Sequence, residues 1–394
     1  MSAAAPEGYA RANRPLAKAL IGHVDQIARH CPRRDAAGWV YATVLAAWGE
    51  DHGLTPMMLR GDAQQARKQH AADGGTPSGW IRAAYAHLAA HPSTACLLDP
   101  RYSPLPDACP AVVEQPLGAL LDWWADEAPD LYNPAPELGP SSITGWLIGD
   151  LLQALHGDRY NGAALSQTPW WVADFLCART LAPAFAVFDE PVLRVIDPAC
   201  GTGHLLVWAA LGLFEAYTAG VPGRRATGPR AAVRRLLAGI SGVELDPLTA
   251  AVARLRLTVL FGSMLDGSRP GATRLRDIPG WVRPRVAVGN ALLAAKGEHE
   301  LGAVLDDTAD YPGILEPGTY HAVIANPPYK VIADAKVRER VRAEYREVCH
   351  GQYAASVPFT VLMFDLAIRA DAQDAAGLVA VPEQLSLFDA GAAA

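Results

Sequence analysis

The sequence predicts an α/β fold, a parallel doubly wound sheet preceded by a helical domain. Three observations carry this. Five short apolar runs, Leu193–Ile196, Ile240–Val243, Val286–Val288, Ala322–Ile324 and Leu378–Val381, end beside small or acidic residues. Helical stretches, clearest at Leu205–Tyr217 and Leu248–Phe261, lie between the first runs. Residues before about 140 carry helical spacing without such runs. Short β-branched strands alternating with amphipathic helices build parallel sheets. A ligand of such a sheet lies beyond the carboxyl ends of its strands.

In chain order, residues 1–140 read as an N-terminal helical domain. Leu16, Leu20, Val24 and Ile27 recur at helical spacing, as do apolar positions across Trp39–Trp48 and Trp80–Leu88. Proline-rich breaks at Pro92, Pro100–Pro110 and Pro134–Pro140 separate the helices, and the last is the expected domain boundary. Residues 141–382 form the second domain, which opens with helices at Ile143–Leu155 and Trp170–Leu181; residues 383–394 are a tail.

The composition fits two domains: 394 residues, 51% hydrophobic, with a net charge of −7. Extensive disorder and a protein coated in basic charge are both excluded. A local basic groove is not. Ala216–Val243 carries Arg224, Arg225, Arg230, Arg234 and Arg235 with no acid, and Arg269–Arg285 adds five arginines against one aspartate. These stretches could contact phosphates or be solvated loops, and a groove built from them is expected beside the catalytic face. No apolar run approaches the roughly 18 residues of a membrane helix. The N-terminus lacks a signal pattern, and the six cysteines form no C-x-x-C pair, so neither a disulfide framework nor a zinc site is expected. The expectation is a cytoplasmic protein without a membrane segment or metal.

The first run is followed by Asp197-Pro198-Ala199-Cys200-Gly201-Thr202-Gly203-His204 and an apolar helix. Glycines at a helix N-terminus let the backbone approach a polar ligand closely. A Walker A loop needs G-K-[ST], and His204-Leu205 stands here instead, which argues against a nucleoside triphosphate. Cys200 is expected as a small residue packed under the loop, and His204 as solvent-facing or capping. The second run ends in Glu244-Leu245-Asp246, acids suited to ribose hydroxyls; the insert 221–235 explains their unusual distance from Asp197. The fourth run ends in Asn326-Pro327-Pro328-Tyr329. The prolines lack donors and leave a carbonyl free. An amide oxygen, a free carbonyl and an aromatic plane suit a planar substrate with an amino group, a proline-rich turn being the plain alternative.

Together, Asp197-Pro198-Ala199-Cys200-Gly201-Thr202-Gly203 and Asn326-Pro327-Pro328-Tyr329 resemble the N6-adenine-specific DNA methyltransferases, in the order of type I modification subunits, type IIG enzymes and BREX-type methylases. Gln167-Thr168-Pro169 looks like that group's contact to the methionine end of the cofactor. Gly289-Asn290-Ala291-Leu292 resembles its contact to the cofactor adenine, with Asn290 where an aspartate is common. Residues 345–370 are similar to the stretch after the catalytic motif in BREX-type proteins.

The resemblance implies a Rossmann-like S-adenosylmethionine-dependent methyltransferase sheet. Gln167, Thr168, Pro169, Asp197, Pro198, Ala199, Cys200, Gly201, Gly203, Glu244, Asp246, Asn290 and Ala291 would bind S-adenosylmethionine. Asn326, Pro327, Pro328 and Tyr329 would be catalytic, on a flipped adenine. It further implies DNA as partner and a role in restriction–modification or phage defence. The family's sheet usually has seven strands and a target-recognition part, so the chain would be a portion of a longer enzyme or be completed by a separate subunit. Gln384-Leu385-Ser386-Leu387-Phe388 resembles the peptide that docks into the DNA polymerase sliding clamp; it could equally continue the core. No nuclease signature stands in residues 1–150. An RNA or protein-glutamine methyltransferase, or a non-catalytic defence subunit, remains the alternative, since Asn-Pro-Pro-Tyr also occurs outside the DNA enzymes.

Overall fold

The computed structural model describes residues 5–131, 142–155, 167–188, 190–220, 225–266, 273–298 and 305–368. The chain divides into two compact units, Met1–Asn161 with Thr258–Arg283, and Gly162–Leu257 with Pro284–Ala394.

The first unit is helical: α1 (Ala5–Ile27), α2 (Arg33–Asp51), α3 (Gln64–Ala72), α4 (Pro77–Ala86), α5 (Ala111–Asp126) and α6 (Trp146–Leu155). Helix α2 is buried from Ala36 to Glu50, on every face, and α1, α4, α5 and α6 pack around it. Several of its polar side chains bond outside the helix. Tyr41 Oη donates to Ile148 O at 3.0 Å, and Trp124 Nε1 donates to Thr43 Oγ1 at 2.7 Å. Leu59 N donates to the buried Glu50 carboxylate, which burial pushes up to about 7.

The expected boundary after residue 140 is displaced. Helix α6 belongs with the first unit because its apolar face meets α1 and α2, and Thr258–Arg283 returns there too: Leu275 N donates to Leu54 O at 3.0 Å and Ser93 Oγ to Val282 O at 2.9 Å. A contiguous boundary read from proline breaks could not anticipate a segment that leaves and comes back.

The second unit contains α7 (Trp170–Val187), β1 (Val195–Asp197), α8 (His204–Ala219), α9 (Pro229–Gly239), β2 (Ile240–Glu244), α10 (Pro247–Asp266), β3 (Arg285–Val288), α11 (Ala291–Ala294), β4 (Ala322–Val323), α12 (Ala335–Glu344) and α13 (Ser356–Leu366). From Thr258 on, α10 is counted with the first unit. Among the described residues the four strands form one parallel sheet in the order β3-β2-β1-β4. One face of the sheet carries a core of Ile196, Val243, Ala287, Leu292, Tyr345, Phe359, Leu362 and Leu366. Tyr345 Oη closes it by donating to Leu292 O at 2.9 Å. The expected fifth strand, Leu378–Val381, lies outside the described residues; a parallel bridge joins Tyr320 to Ala367 on the described side.

Helix α10 is an exception to the expectation that no segment has membrane length. Pro247–Leu265 is long and apolar enough by length and composition, with a mean hydropathy of 1.4, but 89% of that window is buried inside the protein. It carries Arg254 and Arg256, both buried.

Helix α9 runs directly into β2 at Gly239, which lies against the chain entering β1. A Cβ on Gly239 would sit 2.4 Å from Leu193 O. Because that atom is backbone, Gly239→Ala is expected to lower stability by about 1–3 kcal/mol through overpacking. The midpoint of urea unfolding measures it, and an unchanged midpoint would show that the two segments are not locked together.

Candidate active site

Strand β1 pairs with β2 on one side and β4 on the other, so the residues after all three strands emerge at one edge. The glycine loop comes directly after β1. Asp197, 1% exposed, accepts from Ala199 N at 3.0 Å, and Cys200 N donates to Val243 O at 3.0 Å. Gly201 (φ +57°) donates its amide to Glu244 Oε2 at 2.9 Å. Gly203 (φ +83°) opens α8, where a Cβ would lie 3.3 Å from Ala253 Cβ. Left-handed backbone and close helix packing both require glycine there. Pro198 and Ala199 complete the turn. Cys200 is buried against Gly242, and burial pushes its thiol far up. It packs under the loop as expected.

His204 does not face solvent. It is 2% exposed, with Nδ1 3.0 Å from Thr202 Oγ1 and 3.3 Å from Arg256 Nη1. Arg256 is fully buried and donates from Nη1 to Thr202 O at 2.6 Å. Two residues earlier, Arg254 donates to Val286 O at 2.8 Å and pairs with Asp307 at 2.7 Å. Asp307 N in turn donates to Val288 O, so this arginine clamps the segment 306–308 to the end of β3. Motif reading of the sequence passes over both arginines. The signal is there all the same: two cations inside an otherwise apolar helix demand buried acceptors.

The acids after β2 divide their roles. Glu244, partly buried, accepts from Gly201 N and, at Oε1, from Asp246 N at 2.9 Å. Asp246 caps α10, with Oδ2 accepting from Thr249 N at 2.9 Å and Thr249 Oγ1 at 2.7 Å. Burial pushes Asp197 up to about 8 and Glu244 up to about 7, each raised further by a neighbouring carboxylate. After β3, Asn290 Oδ1 caps α11 by accepting from Leu292 N at 3.2 Å, and Ala291 is buried beside it. At Gly289 a Cβ would fall 2.9 Å from Thr308 Cγ2 and 3.1 Å from Asp306, which explains the glycine by close approach.

The segment after β4 stays on β1 for one more step, through Ile324 N to Ile196 O at 3.0 Å, and then leaves as Ala325-Asn326-Pro327-Pro328-Tyr329. Asn326 and both prolines are partly buried, while Tyr329 is 66% exposed. Among the backbone hydrogen bonds of the described residues, none ends on Pro327 O. Asn326 Nδ2 donates to Thr168 Oγ1 at 3.1 Å, and Tyr329 Oη donates to Asn326 Oδ1 at 2.8 Å. Gln167 Oε1 accepts from Thr202 Oγ1 at 3.0 Å, and Pro169 is the residue that precedes α7. The segment 167–169 therefore bonds both to the glycine loop and to Asn326. Spacing along the sequence gives no hint of that junction.

The arginines of 225–235 are not beside this edge. Thr227 N donates to Tyr217 O at the end of α8, and α9 finishes against Leu193 before β1. Both anchors are at the amino-terminal edge of the sheet, so Arg225, Arg230, Arg234 and Arg235 lie there, as does Arg285 at the start of β3. Arg274, Arg276 and Arg283 belong to the first unit, and Arg224 and Arg269 lie outside the described residues. The clamp-like residues Gln384, Leu385, Leu387 and Phe388 are outside them too. Among the described residues no group of His, Cys, Asp and Glu is arranged to hold a metal.

No protein-family model matches the chain. It is similar to the adenine-specific methyltransferase PglX of Streptomyces coelicolor, 31% identical over 379 residues that cover 86% of this chain and 30% of that protein. The chain thus spans about a third of that relative's length. Among solved structures it is similar to a DrdV–DNA complex (TM-score 0.42, 12% identity, 91% of this chain and 33% of that one). Another is described as a modification subunit of a type I restriction enzyme from Vibrio vulnificus (TM-score 0.40, 14% identity, 89% and 67%). The motif resemblance and the curated relative agree on adenine-specific methyltransferases.

The raised carboxyls set a pH dependence. The folded protein holds protons on Asp197 and Glu244 that the unfolded chain releases near pH 4, so their contribution to stability is lost as pH rises through about 7 to 8. Ligand-free Asp197→Asn is expected to melt with a flatter pH dependence than the unaltered protein between about pH 5 and pH 8. Parallel slopes in differential scanning fluorimetry would contradict the assignment.

Proposed function

We propose that this chain is the catalytic portion of an S-adenosylmethionine-dependent methyltransferase acting on the N6 amine of adenine in DNA, in restriction–modification or phage defence. The observation that carries the reading is the convergence of the Asn326 amide, the Pro327 carbonyl and the exposed Tyr329 ring on the glycine loop's edge of the sheet. Similarity to an adenine-specific methyltransferase supports the same chemistry.

The residues present fit the cofactor. Two carboxylates whose ionisation burial opposes, Asp197 and Glu244, favour a cationic ligand, and S-adenosylmethionine carries a sulfonium and an ammonium. Backbone amides of Gly201 and Asp246 hold the Glu244 carboxyl at the mouth of the glycine loop, where it can also meet a ribose hydroxyl. The glycine loop turns through left-handed backbone at Gly201 and Gly203, and the segment Gln167-Thr168-Pro169 borders it. Asn290 and Ala291 line the approach from β3. When bound, S-adenosylmethionine supplies an electrophilic methyl group.

The chain's own groups would handle the base. Tyr329, open to solvent, offers a face for stacking a flipped adenine. Asn326 Oδ1 and Pro327 O accept the two N6 hydrogens, which draws the nitrogen lone pair toward the methyl group. The amine so held would take the methyl group that the bound cofactor supplies, and one amine proton would leave to water. Holding the two reactants in line supplies much of the rate. Cys200 takes no part, being buried and held as a thiol. Substrate DNA and a completing subunit are the expected partners, in the cytoplasm.

Asn326→Ala is expected to lower N6-methyladenine formation by at least about a hundredfold while leaving S-adenosylmethionine affinity within about twofold. Transfer assayed on DNA, RNA and a glutamine-bearing release factor, with isothermal titration for the cofactor, measures both. Undiminished transfer to DNA would overturn the proposal, and transfer only to RNA or protein would redirect it.

A further inference from the structure

We infer that Thr168 is a positioning residue for Asn326: its hydroxyl holds the asparagine amide with Oδ1 toward the exposed Tyr329 side, where a substrate amine would arrive. The inference rests on the methyltransferase reading of Asn326 and deepens it. Thr168 is 5% exposed, and its Oγ1 accepts from Asn326 Nδ2 at 3.1 Å, while the other end of the amide accepts from Tyr329 Oη at 2.8 Å. The two amide ends thus meet different environments, a buried hydroxyl and an open aromatic.

Orientation matters because an amide has one accepting and one donating end. With Oδ1 outward, an incoming amine finds an acceptor and either displaces the Tyr329 hydroxyl or shares the oxygen's second lone pair. With Nδ2 outward, two N–H groups face each other. Removing the Thr168 hydroxyl takes a buried hydrogen-bond partner from Nδ2, one of the contacts that hold the amide in this orientation.

The same segment reaches the glycine loop. Gln167 Oε1 accepts from Thr202 Oγ1 at 3.0 Å, and Thr202 is held at its carbonyl by the buried Arg256 at 2.6 Å. The chain Arg256–Thr202–Gln167–Thr168–Asn326–Tyr329 is continuous from the core to the exposed ring. Anything that orders the loop against Gln167 therefore acts on the orientation of Asn326 through the adjoining Thr168. Thr168 acts through Asn326.

The test compares Thr168→Val, which keeps the shape and removes the hydroxyl, with Thr168→Ser, which keeps the hydroxyl. In the full chain with its DNA substrate, the valine variant is expected to lose about tenfold to a hundredfold in kcat with the KM for S-adenosylmethionine within about twofold, and the serine variant to recover most of the loss. Nitrogen-15 spectra supply a readout independent of turnover. The Asn326 side-chain amide, identified by its disappearance in Asn326→Asp, should move toward the shift of a free asparagine in Thr168→Val and stay in place in Thr168→Ser. Equal kcat in the valine variant and the unaltered protein, or an unmoved amide signal, overturns the proposal while the methyltransferase reading stands. Equal losses in both variants with weakened cofactor binding also overturn it, by assigning Thr168 to the cofactor pocket alone. Absence of N6-methyladenine from the unaltered protein removes the functional reading and this inference with it.

Discussion

The second unit depends on the double pairing of β1. Val195, Ile196 and Asp197 pair with β2 on one side, and Val195 and Ile196 pair with β4 on the other. That brings the glycine loop, the Glu244 carboxylate and the Asn326 segment, far apart in sequence, to one edge. A parallel ladder fixes this without further instruction, since strands running the same way deliver their trailing loops to the same place. The ladder is short, and its neighbours reinforce it. Ile324 extends the pairing past β4, and Cys200 N returns to β2 through Val243 O.

Charge buried behind that edge gives the site its rigidity. Arg254 and Arg256 enter the core from an apolar helix, and each finds backbone carbonyls, Val286 O and Thr202 O. A buried cation without acceptors would be costly, so these bonds tie the loop and the end of β3 to the helix. The carboxylates of Asp197 and Glu244 face the opposite situation. Backbone amides hold them, yet burial still works against their ionisation. Behind the edge, buried cations are bonded to backbone carbonyls, while at it burial opposes the charge of the two carboxyls.

Much of the sheet is legible in the sequence because strand and helix periods differ and small or acidic residues mark strand ends. The four described strands begin and end within two residues of the apolar runs that announce them. The glycine loop and the Asn-Pro-Pro-Tyr turn are legible for the same reason, being contiguous. The features that stay hidden depend on distant partners. His204 looks like a solvent-facing or capping residue until Arg256 and Thr202 are seen around it. The displacement of α6 and Thr258–Arg283 into the first unit is invisible to any rule that reads boundaries from local breaks. The arginines of α9 read correctly as a cluster but at the wrong edge, because a run of charge does not reveal the direction of the strand it precedes.

That last placement has a consequence for how the protein meets charged surroundings. Arg225, Arg230, Arg234 and Arg235 lie on and just before α9 at the amino-terminal edge, and the proposed chemistry is confined to the carboxyl-terminal one. At physiological ionic strength the field of an exposed charge decays over about 8 Å. Strand β2, five residues long, already spans about 16 Å at the usual rise per residue. The two edges are therefore electrostatically separate: salt that screens the arginines leaves the Asn326 edge largely as it was, and an anion gathered at one does not compete for the other.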